Sequence, residues 1–554
     1  MKKQNWFLRA SQWGKMLLLC LFILFFGFRC NSTETTSSDG DAALIDVAEA
    51  DFPTNFKKGE TYVGKADNKE YVVKFSSVQS KLLQGTFYEV TSSIVAEPVR
   101  FTAQVKSKKI VFSYNKETSR TWKNVVVNFS NQQYSGKYTV DNHSAEFFFR
   151  HYSTPDFEVY KNRYKEEYFD YEVVKDVKYG TASGYWTSNV NTTKDYFRIL
   201  SQGIASSFSE KDLDLKMDLY LPKDDSLNAR PLIMFIHGGA FYIGSKEDNP
   251  IVMWCKHYAS MGYVVASIDY RMGFHANKTS IERCGYRATQ DAHAAMRFLV
   301  HNKDKYRINP DYLFVAGTSA GGITSLNLAF MRNDNRPASV TEQHKKRPAL
   351  GNIESSGNKF TETFHIRAVA NMWGAVQDVS ILQNSKTSIV SFHGNADKIV
   401  PYDYDMPFQD LKLGVNKLFF DKMYGSAAIH RKAKELGYRE ELHTLENCNH
   451  APHVNEDNQV NEKFWYIQEK TTDFFFKEFV PENIEIQSDG GQWYEVNVPS
   501  DVPLTWKVSG GVVLEQKGNR VRVVWFRYAA KFVLECSGKM GNGASVYAEK
   551  TLEF

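Results

Sequence analysis

The stretch Tyr312-Leu313-Phe314-Val315-Ala316-Gly317-Thr318-Ser319-Ala320-Gly321-Gly322 decides how the rest of the chain is read. A short apolar run rich in β-forming residues ends in Gly-x-Ser-x-Gly, and a helical-looking segment, Ile323 to Met331, follows at once. Strand, sharp turn and helix in that order are the context a nucleophile elbow requires. In so tight a turn Gly317 and Gly321 leave room where a Cβ would clash, and Ser319 is held exposed above the sheet edge. With Gly at about 7% of average usage, a chain this long shows the pentapeptide by chance roughly once in several tries. The reading therefore turns on whether a base, an acid and oxyanion donors stand where the elbow needs them.

Upstream, the buried-strand pattern Leu232-Ile233-Met234-Phe235-Ile236 runs into His237-Gly238-Gly239-Ala240-Phe241. Backbone N–H groups stabilise a tetrahedral oxyanion only where the chain passes close to the reacting carbon, which side chains would block. Gly238 and Gly239 meet that need, and with Ala320, the residue after the candidate nucleophile, they are the expected donors. Downstream, Ser388-Ile389-Val390-Ser391-Phe392-His393-Gly394-Asn395-Ala396-Asp397 reads as a second buried strand ending in a loop that carries Asp397. Glu440–Leu445 then leads into Glu446-Asn447-Cys448-Asn449-His450, which offers His450 as the base. Neutral imidazole suits proton shuttling, and a buried carboxylate fixes its tautomer. His453 and His443 are rival bases and Asp378 is a rival acid, while His237 and His393 suit structural hydrogen bonding at strand ends.

Working outward, 554 residues exceed one core, and about two to four domains are expected. Hydrophobic content of 42% and charged content of 24% are those of globular protein, and a net charge of +4 gives no reason to expect a nucleic-acid partner. At the N-terminus, Lys2, Lys3, Arg9 and Lys15 precede the apolar run Met16 to Phe28, a signal-peptide length short of the ~18 residues that span a bilayer. Cys30 then opens a polar segment, an arrangement that resembles a bacterial lipoprotein signal. Export is the expectation, either with attachment to the membrane of the cell envelope through a lipid on Cys30 or as a secreted protein; an uncleaved anchor or cleavage elsewhere is the other reading. Of the six cysteines, Cys255, Cys284, Cys448 and Cys536 have neither disulfide-framework nor zinc spacing. Buried thiols suit Cys255 and Cys284, with a bridge between them as the alternative.

Residues 31–50 have the composition of a flexible tether. Over 51–160 short alternating runs (Glu70–Phe75, Gly85–Thr91, Val99–Val105 and others to Arg150) predict an all-β domain, an antiparallel sandwich or small barrel, with a spacer role favoured over ligand binding. From 170 to 480 strand-like and helical runs alternate, which predicts a mostly parallel sheet with helices on both faces. Predicted strands are Asp214–Leu221, Pro231–His237, Tyr263–Tyr270, Tyr312–Gly317, Ile366–Trp373, Ser388–His393 and Glu440–Leu445, and predicted helices include Arg287–Tyr306 and Ser426–Leu436. Residues 484–554 return to a β pattern. Their two tryptophan-bearing strands around Ser509-Gly510-Gly511 resemble the PKD-like β-sandwich modules of exported bacterial proteins.

The 170–480 region resembles the α/β-hydrolase carboxylesterases, near the hormone-sensitive-lipase-like and type B branches. The resemblance rests on His237-Gly238-Gly239-Ala240-Phe241, Gly317-Thr318-Ser319-Ala320-Gly321-Gly322, Gly262-Tyr263-Val264-Val265-Ala266-Ser267-Ile268-Asp269-Tyr270-Arg271 and Gln290-Asp291-Ala292-His293. It implies an α/β-hydrolase fold and cofactor-free ester hydrolysis by Ser319, Asp397 and His450, with the oxyanion held by Gly238, Gly239 and Ala320. Ala240 replaces the usual third glycine, and the acid stands in His-Gly-Asn-Ala-Asp, which looks more like dienelactone-hydrolase or prolyl-oligopeptidase relatives. The polar Arg332–His365 and aromatic Pro401–Gly425 insertions are expected to shape the pocket, for short-chain or carbohydrate-linked acyl esters. A prolyl-oligopeptidase-like peptidase, and a surface binding protein with an inactive hydrolase scaffold, are the alternatives. For the N-terminus, the expected outcome is that labelled palmitate enters the protein and that Cys30→Ser abolishes the incorporation; incorporation that survives the change contradicts lipidation at Cys30.

Overall fold

The computed structural model describes residues 43–46 and 58–554, apart from 67, 80–81, 92–94, 107–108, 115–117, 131–132, 161–162, 190–195, 206, 344–347, 412–413 and 482–483. The signal-like run and Cys30 lie outside the described residues. Among the described residues no helix is long and apolar enough to cross a membrane. The chain divides into two compact units. One holds the described residues up to Phe87 with Val99–His151, and the other holds Tyr88–Pro98 with Tyr152–Phe554.

The first unit is a single antiparallel sheet. Its successive strands include Thr61–Ala66, Lys69–Gln79, Pro98–Lys106, Lys109–Tyr114, Thr118–Ser130, Gln133–Val140 and His143–Tyr152. Thr118–Ser130 pairs with Gln133–Val140 as well as with Lys109–Tyr114, so the sheet closes on itself as a small barrel. Alternation sends Tyr62, Phe75, Phe101, Tyr134, Tyr138 and Phe147 into a shared interior. Closure also removes most of the exposed strand edge that an open sheet would present.

The second unit is built on eight strands: β1 (Tyr171–Gly184), β2 (Lys211–Pro222), β3 (Arg230–Ile236), β4 (Val264–Ile268), β5 (Ile308–Thr318), β6 (Ala368–Met372), β7 (Ser388–Gly394) and β8 (Glu440–Leu445). Their order is β1-β2-β4-β3-β5-β6-β7-β8. β2 runs antiparallel to both β1 and β4, and the remaining neighbours are parallel. This is the α/β-hydrolase arrangement. The central strands are buried throughout, and their period of two feeds two cores. Leu232, Met234 and Ile236 meet Ala288, Leu299, Leu326 and Ile429 on one face, whereas Ile233 and Phe235 meet Trp254, Tyr258, Phe464 and Phe475 on the other. The helices that cover these faces are α1 (Asn249–Ser260), α2 (Lys278–His301), α3 (Ala320–Phe330), α4 (Ser426–Glu435) and α5 (Glu462–Phe476).

Two differences from the sequence reading have physical causes. The sheet has a further strand, β1, whose exposed, charged residues give no apolar run because it is an edge strand. And α2 starts at Lys278 rather than Arg287, because Asn277 caps it by accepting from the Ser280 N–H at 3.0 Å.

Residues 486–551 form two further sheets packed on a core that includes the buried Trp506 and Trp525. A two-residue strand, Val95–Ala96, pairs in parallel with Trp525–Phe526, so Tyr88–Pro98 belongs with this unit rather than with the barrel. Asn542 donates to the Phe479 carbonyl at 3.0 Å just beyond α5, which ties the sandwich to the hydrolase layer.

The end of β4 is locked to α2 by a buried ion pair. Arg271 donates to Asp291 from its backbone at 2.7 Å and from Nε at 2.9 Å, and Asp291 is fully buried. The same guanidinium reaches the Ser183 carbonyl at 2.9 Å and Ser356 Oγ at 2.9 Å. Removing one partner strands the other charge in the core. Asp291→Ala is therefore expected to lower the unfolding free energy of this unit by about 3–5 kcal/mol in urea titration; a loss under about 1 kcal/mol contradicts the assigned role.

Candidate active site

Ser319 sits between β5 and α3 with φ +54°, in the left-handed region that side chains avoid. Its neighbours must be glycine for steric reasons. A Cβ on Gly317 would lie 2.2 Å from the Gly321 carbonyl oxygen, and one on Gly321 would lie 2.0 Å from that of Ile236. The turn is held from β6, where the Met372 carbonyl accepts the Ser319 N–H at 2.8 Å. Ser319 is only 8% exposed, more enclosed than the sequence suggests, because it opens into a cavity rather than onto the surface.

From Ser319 a hydrogen-bonded line runs through the predicted partners. Its Oγ stands 2.9 Å from His450 Nε2, and His450 Nδ1 stands 2.7 Å from Asp397 Oδ2. An ionised carboxylate only accepts, so Nδ1 carries the imidazole proton and Nε2 is left to accept from the serine hydroxyl. Asp397 Oδ1 accepts two backbone N–H groups, from Ile399 at 2.8 Å and Val400 at 3.0 Å. Burial alone would raise the Asp397 pKa. The charge interaction with His450 and the hydrogen bonds from His393 and His450 outweigh it, and hold the carboxyl well below the usual carboxylate range.

The acid and the base meet because their loops are zipped together. Asn395 N–H donates to the Leu445 carbonyl at 3.2 Å, Ala396 N–H to the Cys448 carbonyl at 3.1 Å, and Asn447 N–H to Asn395 Oδ1 at 2.7 Å. Asn449 Oδ1 accepts from both Lys398 N–H and His450 N–H. The approach is so close that a Cβ on Gly394 would lie 2.1 Å from the Cys448 carbonyl oxygen. None of the zipping residues stands out in the sequence; only the paired Asn residues flanking Asp397 and His450 signal them.

The rivals lie elsewhere. His453 packs against Trp254 and Trp373. His443 Nδ1 stands 2.9 Å from the Tyr466 hydroxyl. Asp378 caps a short helical turn by accepting the Ser380 N–H at 2.8 Å, at the cavity rim. His237 is buried against Tyr270, with Nδ1 2.8 Å from the Gly238 carbonyl oxygen, and burial lowers its pKa. Cys255 and Cys284 are buried free thiols.

The oxyanion loop comes up against the elbow. A Cβ on Gly238 would sit 2.9 Å from the Thr318 carbonyl oxygen and 3.3 Å from Ser319 Cβ. Gly239, Ala240 and Phe241 have φ of +105°, +51° and +59°, a run that turns the backbone around the serine. Ala320, the first residue of α3, presents its N–H at a helix N-terminus, where partial positive charge favours an anion. Ala240 lines the cavity with Ser319 and Ala320. Its place in the third position of the glycine loop was the available signal.

The cavity holds about 260 Å³ and is walled by Phe241, Ile323, Ile381, Val400, Phe408 and Phe420, with Phe408 and Phe420 stacked at 4.7 Å. Lys278, Glu282, Gln377, Asp378 and Asp421 add polar groups, and Lys278 pairs with Asp421. The Pro401–Gly425 insertion lines the cavity, as expected. Among its described residues the Arg332–His365 insertion contributes Asn335 and Pro337, and much of the remainder lines a separate space with His293 and Arg297.

Residues 217–391 match the BD-FAE family model. The chain is similar to gut esterase 1 of Caenorhabditis elegans, 32% identical over 134 residues that cover 24% of this chain and 23% of that protein. It is also similar to the human arylacetamide deacetylase-like 2, 26% identical over 214 residues that cover 38% and 48% respectively. It thus spans about a quarter to a half of the length of these relatives. Among solved structures, a thermophilic esterase from Thermogutta terrifontis aligns with a TM-score of 0.32 at 19% identity, covering 49% of this chain and 92% of that one. Residues 217–391 are thus similar to the BD-FAE family, and the relatives that the chain matches include esterases.

Proposed function

We propose that the protein is a serine carboxylesterase acting through an acyl-enzyme. The single observation that carries this reading is the line Ser319–His450–Asp397, at 2.9 and 2.7 Å, opening on a cavity beside the Gly238 loop. In the first half-reaction Ser319 Oγ attacks the ester carbonyl carbon while His450 Nε2 takes the hydroxyl proton. Asp397, already ionised, stabilises the imidazolium without taking a proton itself. The carbonyl oxygen gains negative charge and is met by the N–H groups of Gly238, Gly239 and Ala320, each worth about 3 kcal/mol in such a hole. His450 then gives its proton to the leaving alkoxide. Water repeats the sequence on the acyl-enzyme, with His450 as base, and releases the acid.

The cavity supports a compact acyl group, short-chain or single-ring, against the Phe241 and Phe420 wall. The charged rim at Lys278, Glu282 and Asp378 supports a polar alcohol such as a sugar. The reading includes export and attachment through a lipid on Cys30, motivated by the basic-then-apolar N-terminus, and takes the C-terminal sandwich as a PKD-like module.

Ser319→Ala is expected to lower turnover of short-chain nitrophenyl esters by a factor on the order of 10⁴ to 10⁶ with an unchanged circular-dichroism spectrum. Retained turnover refutes the assignment. On a panel varying acyl length and including acetylated and feruloylated sugars, kcat/KM is expected to peak at compact acyl groups on sugar alcohols; a peak at long acyl chains contradicts the cavity argument.

A further inference from the structure

The hydrogen bonds around His393 run in one direction that can be followed proton by proton. Gly374 N–H donates to Asn371 Oδ1 at 2.9 Å, which fixes the amide so that Nδ2 is the donor end. Nδ2 donates to Ser391 Oγ at 3.0 Å and to Ser426 Oγ at 3.1 Å. Ser426 Oγ thereby accepts on one side and has its own hydrogen to give to the next polar atom, His393 Nδ1, at 2.8 Å. With Nδ1 accepting, the ring proton must sit on Nε2. The far side demands the same, because Nε2 stands 3.1 Å from the Val400 carbonyl oxygen and 3.4 Å from Asp397 Oδ2, both acceptors. Asn371, Ser391, His393 and Ser426 are all fully buried, so water does not offer substitutes.

Asp397 Oδ2 is the same oxygen that accepts from His450 Nδ1. We infer that His393 is a positioning residue for the catalytic carboxylate: locked as its Nε2–H tautomer by Ser426 and Asn371, it donates towards Oδ2 and fixes that oxygen for His450. The side chain thereby does more than the structural duty its place at a strand end suggests. Three donors bond the carboxylate, Ile399 and Val400 N–H on Oδ1 and His450 Nδ1–H on Oδ2, and His393 Nε2 adds a longer contact to Oδ2 at 3.4 Å. Without His393 the two backbone N–H groups still hold Oδ1, but Oδ2 loses the ring that backs it from the side away from His450, and the His450 ring is less firmly positioned. Tyr402 stands edge-on to the ring at 5.7 Å. The inference rests on the proposed serine-esterase reading for its kinetic consequence, but not for the tautomer.

Two measurements on the full-length chain decide it. In ¹⁵N-histidine NMR, the ring assigned to His393 by its loss in His393→Gln is expected to carry its proton on Nε2; a proton on Nδ1 overturns the inference. In steady-state ester cleavage, His393→Phe is expected to lower kcat at least about tenfold with KM held within about twofold, and His393→Gln, which keeps an N–H donor, to recover part of the loss. Should His393→Phe not fold, Ser426→Ala, which removes only the donor to Nδ1, is expected to lower kcat severalfold at constant KM. Full kcat in a folded His393→Phe or Ser426→Ala protein overturns the positioning role. Wild-type inertness towards every ester would instead overturn the esterase reading and leave the tautomer measurement to decide the lock.

Discussion

An ionised carboxylate buried at the end of a parallel strand is the constraint from which the candidate site follows. Left alone, Asp397 would take up a proton or draw in water, since burying an unpaired charge is costly. The fold answers with donors from two loops. Val400 and Ile399 turn their N–H groups back onto one oxygen, and His450 comes over from the next strand to meet the other. The zipping of residues 394–398 onto 445–450 is what carries His450 to its place, and the steric demand on Gly394 follows from how close the two loops must come.

The same economy of space governs the nucleophile. β5 lies beside β3 and β6, so the turn at Ser319 is pressed between the Ile236 end of one and the Met372 end of the other. That pressure explains why residues 317 and 321 are glycine and why the serine accepts a left-handed backbone. It also brings Gly238 within contact of Ser319. Strand register, rather than any single interaction, sets the distances between the candidate groups, because all of the loops leave the carboxyl ends of parallel strands in one sheet.

Much of this was legible from residues alone, for reasons that differ from place to place. Continuous apolar runs such as Leu232–Ile236 and Val264–Ile268 announce strands buried on both faces, and the chain order Ser319, Asp397, His450 needs only β5, β7 and β8 to run parallel in one sheet. β1 was not legible, because an edge strand facing water carries no apolar signature. The start of α2 was missed since an Asn cap and two polar turns hide its onset. His393 reads in the sequence only as a structural histidine at a strand end, because a buried tautomer is a property of three-dimensional neighbours and leaves no mark in spacing. The pocket-forming role expected of Arg332–His365 holds for Asn335 and Pro337, while much of the described remainder lines another space, because a polar insertion has no periodicity to say which side of α3 it will cover.

The central claim is that Ser319 is the nucleophile of a Ser-His-Asp unit. The most direct measurement is stoichiometric reaction of the folded protein with a fluorophosphonate, followed by peptide mass spectrometry. The account predicts one adduct, on the peptide bearing Ser319, absent in Ser319→Ala and formed on the order of 10³-fold more slowly or worse in His450→Ala. An adduct on another residue, or labelling that persists in Ser319→Ala, would contradict it.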